Sequence, residues 1–399
     1  IQKADKSLIT WIQSSDVLSM GLFSLGLHPL IWIETNRELP ETYLQQVSVS
    51  HPLIFIVQIG RFLASQEMGF DTTSQKQNIS FTTGYSQGLI PSFFISEMIG
   101  KEFSFERAIE YLQYTFWQGV IMESHWQILN QQVVTDYTPM AGIFGIEKKI
   151  IEEAISYLEP VLEETESLQI AIQATRTRFV VSGPAHALQK LHSYLENRKE
   201  QEEKKKKQGK MGGNTLSFVW ETIPVAAAFH NTMMEKGIQT LQEKCLELGF
   251  DIELEKLTIP ILRYDLVGTV QNVDNPLVYL MKAQFILPVN WFSVMTNIGI
   301  SKEIDYLLDF GPGDGLGRLC SSTLRGTGIE VIALNNPAGQ SRLFSKGTVT
   351  PHTLQYDAFL PSLVKDNNGV RVDNVFTKKT GCLPIILPGM TPTTADVDI

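Results

Sequence analysis

The chain has 399 residues, room for two to four structural units at about 100–200 residues each. Its 33 basic and 43 acidic residues leave a net charge of −10, which gives the surface no general attraction for nucleic acid. With 43% apolar residues it can bury a sizeable core, so global disorder is excluded. Cys245, Cys320 and Cys382 are too few and too far apart for a disulfide framework or a Cys-type zinc site. No apolar run is read as reaching the roughly 18–20 residues that span a bilayer, and the polar IQKADK start is no signal peptide. A cytoplasmic protein of a reducing compartment is expected. The absence of an initiating Met suggests a piece of something longer.

In chain order, the first fifty residues read as helix and loop. LIFIVQIGRFLAS (53–65) has the apolar density of a buried helix. NISFTTG (78–84) reads as a short strand that runs straight into SQGLIPSFFISEMIG (86–100), which has helical periodicity. A second helix is expected from Phe105 to about Asn130.

From 139 to 223 the rhythm changes. PMAGIFG, LQIAIQA, RFVVSG and LSFVWETI read as strands, with helices over Glu147–Glu163 and Pro184–Arg198. The order β-α-β-β-α-β is that of a ferredoxin-like unit. EQEEKKKKQGKMGGN (200–214) is read as a solvated charged loop rather than a docking patch for an acidic partner. Beyond it, helices are expected over Met234–Leu248 and Leu277–Gln284, and strands at IDYLLDFGPG (304–313) and GIEVIAL (328–334). CLPIILPGMTPTT (382–394) reads as a strand and tight turn with nothing after it to pair with.

The chemistry concentrates at Gly84-Tyr85-Ser86-Gln87-Gly88, between a strand and a helix. Gly-X-Ser-X-Gly in that setting is a nucleophile elbow: the glycines let strand and helix approach closely, and the serine is held at a helix N-terminus whose N–H groups can stabilise an oxyanion. A structural turn is the bland alternative. A serine hydroxyl needs a base. Of seven histidines, His230 ends the apolar run IPVAAAFH, whereas His125 lies within a helix and reads as a packing or capping residue.

GYSQG (84–88), VVSGP (180–184), IPVAAAFH (223–230) and DFGPG (309–313), in that order, resemble the acyl-CoA:acyl-carrier-protein transacylase family, most of all the acetyltransferase domain in the β subunit of fungal-type fatty acid synthases. VSVSHPLIFIVQ (47–58) resembles a family helix carrying an active-site glutamine, here Gln58, and LPGMTPTT resembles the opening of the flavin-dependent enoyl reductase that follows. The resemblance implies an α/β acyltransferase fold: an α/β hydrolase-like core at 1–137 and 225–345, a ferredoxin-like subdomain at 138–224, and a linker with the start of the reductase at 346–399. It implies Ser86 as nucleophile and His230 as base. The Gln87 N–H would be an oxyanion donor, and a carbonyl of LPVNW near Asn290 would orient the imidazole. Tyr85, Gln118, Ala174 and Phe229 would line the substrate site.

The family's malonyl-specific members place an arginine thirty-two residues after the serine; here that residue is Gln118. A neutral amide cannot pair a buried carboxylate, so an uncharged acyl group such as acetyl is expected. Arg107, three turns away, is read as solvated. Other departures are Tyr85 for the family's His, Ala174 for an Asn, and Asn231 for a common Ser after the base. No Gly-Gln-Gly loop precedes Gln58.

The implied function is acyl transfer from CoA to the phosphopantetheine thiol of an acyl carrier protein, beside other fatty acid synthase domains. No metal or flavin is needed for this step, and FMN would belong only to a complete reductase. No H-x-x-x-H or H-E-x-x-H spacing points to a metal. GPGDGLG (311–317) lacks the Lys-Ser/Thr of a P-loop and reads as a structural turn. The rivals are an inactive docking domain, a malonyl or longer-chain transferase, and an acyl-enzyme hydrolase.

Overall fold

A computed structural model describes residues 2–14, 20–129, 138–164, 166–210, 214–301, 303–335, 339–340 and the strand backbone at 385–387. The first helix, α1 (Gln2–Ile12), packs on the core through Leu8. The long α2 (Val47–Glu67) begins six residues before the apolar run suggests. The reason lies across the fold: buried Glu123 accepts hydrogen bonds from the Ser48 N–H at 3.0 Å and the Ser48 hydroxyl at 2.6 Å. A carboxylate at the first turn satisfies free N–H groups and complements the helix dipole.

Strand β1 (Thr82–Gly84) is shorter than expected and leads through a single 3-10 turn, Ser86–Gly88, into α3 (Leu89–Met98). Every residue of α3 is buried. Helix α4 (Phe105–Leu129) follows and lies against α2 so closely that a Cβ at Gly119 would come within 2.7 Å of the Val47 carbonyl. Arg107, on α4, is not solvated: it forks onto Glu97 at 2.8 and 2.9 Å and its side chain is only 17% exposed. The buried Glu97 carboxylate recruits it, because an unpaired charge there would be costly.

The ferredoxin-like subdomain comprises β2 (Met140–Phe144), α5 (Lys148–Leu158), β3 (Gln169–Gln173), β4 (Arg178–Ser182), α6 (Ala185–Lys207) and β5 (Val219–Thr222). Its antiparallel order is β3-β4-β2-β5, with a separate core around Phe179, Leu188 and Leu195. Pro160 cuts α5 short of the expected Glu163. The charged stretch after Arg198 is not a loop through 200–207: α6 carries it to Lys207. Glu and Lys are strong helix formers, the pairs Arg198–Glu202 and Lys204–Glu200 sit at i,i+4 spacing, and four lysines end the helix where its dipole favours cations.

The chain then returns to the first core with α7 (Glu235–Leu248), α8 (Pro276–Phe285), α9 (Trp291–Ile300), β6 (Tyr306–Asp309), α10 (Gly315–Thr323), β7 (Glu330–Ala333) and β8 (Ile385–Leu387). Helices α9 and α10 are absent from the sequence reading. The main sheet is parallel, in the order β1-β8-β6-β7. Strand β8 finds its partners earlier in the chain: it pairs with β1 and β6 and occupies an interior slot. The turn expected after it, and Cys382 before it, lie outside the described residues.

Among the described residues α2 is the one helix long and apolar enough, by length and composition, to cross a membrane. Its faces are spent inside the fold instead: Phe55, Gln58, Ile59 and Phe62 are buried, and Arg61 donates to the Phe310 and Pro312 carbonyls at 3.1 and 2.8 Å. The close α2–α4 contact yields a check: Gly119→Val should overpack it and lower stability by about 1–3 kcal/mol, read as a lower urea midpoint. An unchanged midpoint would mean the helices are free to separate.

Candidate active site

Ser86 follows β1 in a left-handed backbone conformation, φ +53°. Serine pays roughly 1–3 kcal/mol for this strain, and the surrounding structure enforces it. A Cβ at Gly84 would lie 2.0 Å from the Gly88 carbonyl carbon, so only glycine lets β1 and the following turn meet. Gln284, on α8, donates from Nε2 to the Ser86 carbonyl at 2.9 Å and pins the strained residue. The Ser86 hydroxyl is partly exposed while its neighbours Tyr85 and Gln87 are buried.

The Ser86 Oγ lies 2.8 Å from His230 Nε2 across 144 residues of chain. His230 is also left-handed, φ +56°, and nearly fully buried. Its Nδ1 is 2.9 Å from the Leu287 carbonyl and 3.0 Å from the Ala283 carbonyl. Carbonyls can only accept, so Nδ1 carries the hydrogen and the Nε2 lone pair faces the serine. Asn290 is not the source of the orienting carbonyl: its side chain donates to the Asp265 carbonyl at 2.7 Å and its N–H to that of Tyr264. The cause is the end of α8 at Phe285: the Ala283 carbonyl in its last turn and the Leu287 carbonyl just beyond it both turn toward the imidazole. The segment LPVNW takes part through Leu287, its first residue, three positions earlier than expected.

Burial pushes the His230 pKa down to about 4, while the two carbonyls pull it back up. Tyr264 donates its hydroxyl to the same Ala283 carbonyl at 2.7 Å and stands edge-on to the imidazole at 6.0 Å. The Gln87 N–H lies in the first turn of the helical run that becomes α3, where backbone N–H groups lack helical acceptors.

Gln118 is fully buried on α4, its Nε2 3.3 Å from Nδ1 of His51. His51 in turn stacks on Phe229 at 5.6 Å and offers its carbonyl to Gln87 Nε2 at 2.6 Å. The site thus gathers Ser86, Gln87, Gln118, Phe229 and His230. Tyr85 packs edge-on against Trp291 at 5.4 Å. Gln58 donates to the Gly311 carbonyl at 2.9 Å, strapping α2 to the DFGPG loop. Ala174 sits at the β3–β4 turn, its N–H on the Arg178 carbonyl. His125 lies 3.4 Å from the Met233 carbonyl through Nε2.

The sequence reading missed three residues that shape the site, His51, Tyr264 and Gln284. His51 stood in plain view in VSHPLI; the other two carry no local signal. Asn231 is also more than a departure from pattern. Its side chain donates to the carbonyls of Ser167 and Ser182 at 3.0 and 3.1 Å and its N–H to Phe285, tying the ferredoxin-like unit to the end of α8. No cluster of three or more His, Cys, Asp or Glu suited to a metal occurs among the described residues.

Residues 31–208 match the family model described as starter unit:ACP transacylase in aflatoxin biosynthesis. The chain is 27% identical to the fatty acid synthase beta subunit TOXC of Cochliobolus carbonum and 24% identical to fatty acid synthase subunit beta of Saccharomyces cerevisiae, each over 94% of its own length. It spans about a fifth of the length of those relatives (19% of each). Among solved structures, FabD from Acinetobacter baumannii aligns with TM-score 0.57 at 16% identity, covering 91% of this chain and 90% of that one. MCAT from Mycobacterium tuberculosis gives 0.54 at 16%, over 85% and 96%. The chain has the acyltransferase fold. The resemblance to fungal fatty acid synthase β subunits holds along nearly the whole of it.

His230 is uncharged well below neutrality, because the depressed pKa leaves Nε2 a free acceptor above about pH 4. The rate at which a fluorophosphonate labels Ser86 should therefore stay flat from pH 8 to 5.5 and fall only below that. A midpoint at the ordinary histidine value near 6.5 would show that water reaches the ring.

Proposed function

We propose that this domain moves an acyl group from CoA to the phosphopantetheine thiol of an acyl carrier protein through an ester on Ser86. The observation that carries the reading is the 2.8 Å contact between Ser86 Oγ and His230 Nε2, made by two residues both held in left-handed backbone. Such strain concentrates at sites where geometry serves chemistry, and it argues against a purely scaffolding role.

In the first half-reaction Ser86 Oγ attacks the thioester carbonyl as its proton passes to His230 Nε2. The negative charge that develops on the carbonyl oxygen is met by the Gln87 N–H. Collapse breaks the carbon–sulfur bond, and the CoA sulfur leaves with the proton from His230. In the second, the carrier thiol gives its proton to His230 and attacks the ester; Ser86 leaves and recovers that proton. The Leu287 and Ala283 carbonyls stabilise the transient imidazolium without a carboxylate. No metal or flavin enters this cycle. FMN would concern only the reductase-like segment, whose residues lie outside those described except at 385–387.

The acyl group is uncharged, and acetyl is the simplest candidate. Gln118 is neutral and buried, and its neighbour His51 is held uncharged, its pKa pushed down to about 3 by burial and by nearby His230. A malonyl carboxylate placed there would be desolvated without a cation, at several kcal/mol. Partners would be the carrier protein and the other domains of a fatty acid synthase, and the buried free thiols of Cys245 and Cys320 suit the cytoplasm.

Radiolabelled acetyl-CoA tests the chemistry. Ser86→Ala should lose the covalent label entirely, and full labelling of that variant would refute the assignment. Acyl choice has its own check, because Gln118→Arg supplies the missing cation and should raise malonyl loading about tenfold or more. Equal malonyl and acetyl rates in the unmodified protein would contradict the neutral-acyl reading.

A further inference from the structure

His51 stands at the acyl site, yet the chemistry above gives it no role. It occupies the early turns of α2, just before Pro52, and is 2% exposed. Three contacts fix it. Its ring stacks on Phe229, the residue before the base, with centroids 5.6 Å apart and planes 24° from parallel. Its Nδ1 faces Gln118 Nε2 at 3.3 Å, and its carbonyl accepts from the side chain of Gln87, the residue after the nucleophile, at 2.6 Å. His51 is thus wedged against the segments that carry both reacting residues. A buried ring stacked on one face and hydrogen-bonded at its edge, on a backbone that is itself held, is a wall and not a swinging side chain.

We propose that His51 determines acyl length: its imidazole, locked between Phe229 and Gln118, closes the far end of the space beside Ser86 and restricts the enzyme to short acyl groups. This rests on the transferase reading and adds the dimension that reading leaves open. The orphaned Oε1 of Gln118, buried without a partner, supports the same limit, because a longer alkyl chain would have to pack against it. Replacing the imidazole by a methyl group removes the wall and extends the space by several heavy atoms. Each methylene then buried is worth roughly fourfold in binding, so two or three more should change the preference by an order of magnitude.

The test uses the full chain and intact-mass detection of the Ser86 adduct after incubation with acetyl-, butyryl-, hexanoyl- or octanoyl-CoA, normalised to fluorophosphonate-reactive serine. The unmodified protein should load acetyl and butyryl well ahead of octanoyl. His51→Ala should raise the hexanoyl-to-acetyl ratio at least about tenfold, whereas His51→Gln, which refills most of the volume, should stay within about threefold. If the alanine variant does not fold, His51→Cys gives the same reading with a smaller loss of volume. Adducts with an unchanged ratio in the small-residue variant, or octanoyl loading equal to acetyl in the unmodified protein, overturn this proposal alone. No adduct from any thioester on a serine that still reacts with fluorophosphonate overturns the transferase reading, and the proposal falls with it.

Discussion

The hydrogen bond from Ser86 to His230 depends on two residues held in a left-handed backbone that L side chains rarely adopt. Serine and histidine both sit in the left-handed region, and each is held there by the end of one helix. The carbonyls of Ala283 and Leu287 aim the imidazole, and Gln284, between them in sequence, holds the Ser86 carbonyl. A single helix terminus therefore sets both partners, so a shift of α8 moves Ser86 and His230 together. This is an economical use of groups that a helix end leaves unsatisfied in any case.

The electrostatics follow one pattern. Away from the dyad, buried charge is answered: Glu97 by Arg107, Glu123 by the start of α2. Asp309, with its pKa pushed up to about 7 by burial, accepts the Gly311 N–H at 2.9 Å beneath the DFGPG loop. Beside the dyad the polar groups are neutral: Gln87, Gln118 and an imidazole that burial keeps uncharged. In surroundings of low dielectric a hydrogen bond to developing negative charge is strengthened, and a charged group brought there without a partner is penalised.

How much of this the sequence discloses depends on the reach of each signal. The elbow is local, five residues with the glycines where a close approach demands them, and it is readable directly. The order of strands and helices in the ferredoxin-like unit is a matter of periodicity and is readable too. What escapes is set by partners far along the chain. The start of α2 depends on Glu123, the carbonyl that orients His230 depends on where α8 ends, and β8 finds its partners some three hundred and some eighty residues earlier. The lysine run was misjudged for a different reason: charge density reads as solvation, but Glu and Lys at i,i+4 spacing also prolong a helix.

Asn231 gives the inserted subdomain a part in the site. The ferredoxin-like unit lies between Ser86 and His230 in the sequence, and an insertion of that size could leave His230 loosely placed. Instead the residue after His230 reaches into it, to Ser167 and Ser182, while its own N–H holds Phe285 at the end of α8. Its side-chain oxygen meanwhile accepts the Met233 N–H at 3.0 Å and caps the turn that follows. The buried side chain of Asn231 and its N–H thus join the subdomain, His230 and the end of α8 that aims the imidazole. A hydroxyl at this position has too few donor and acceptor sites to make all of these hydrogen bonds. The asparagine is therefore better understood as a stronger clamp than as an erosion of the site, and a clamp at this place ties the precision of the base to the folding of the unit inserted before it.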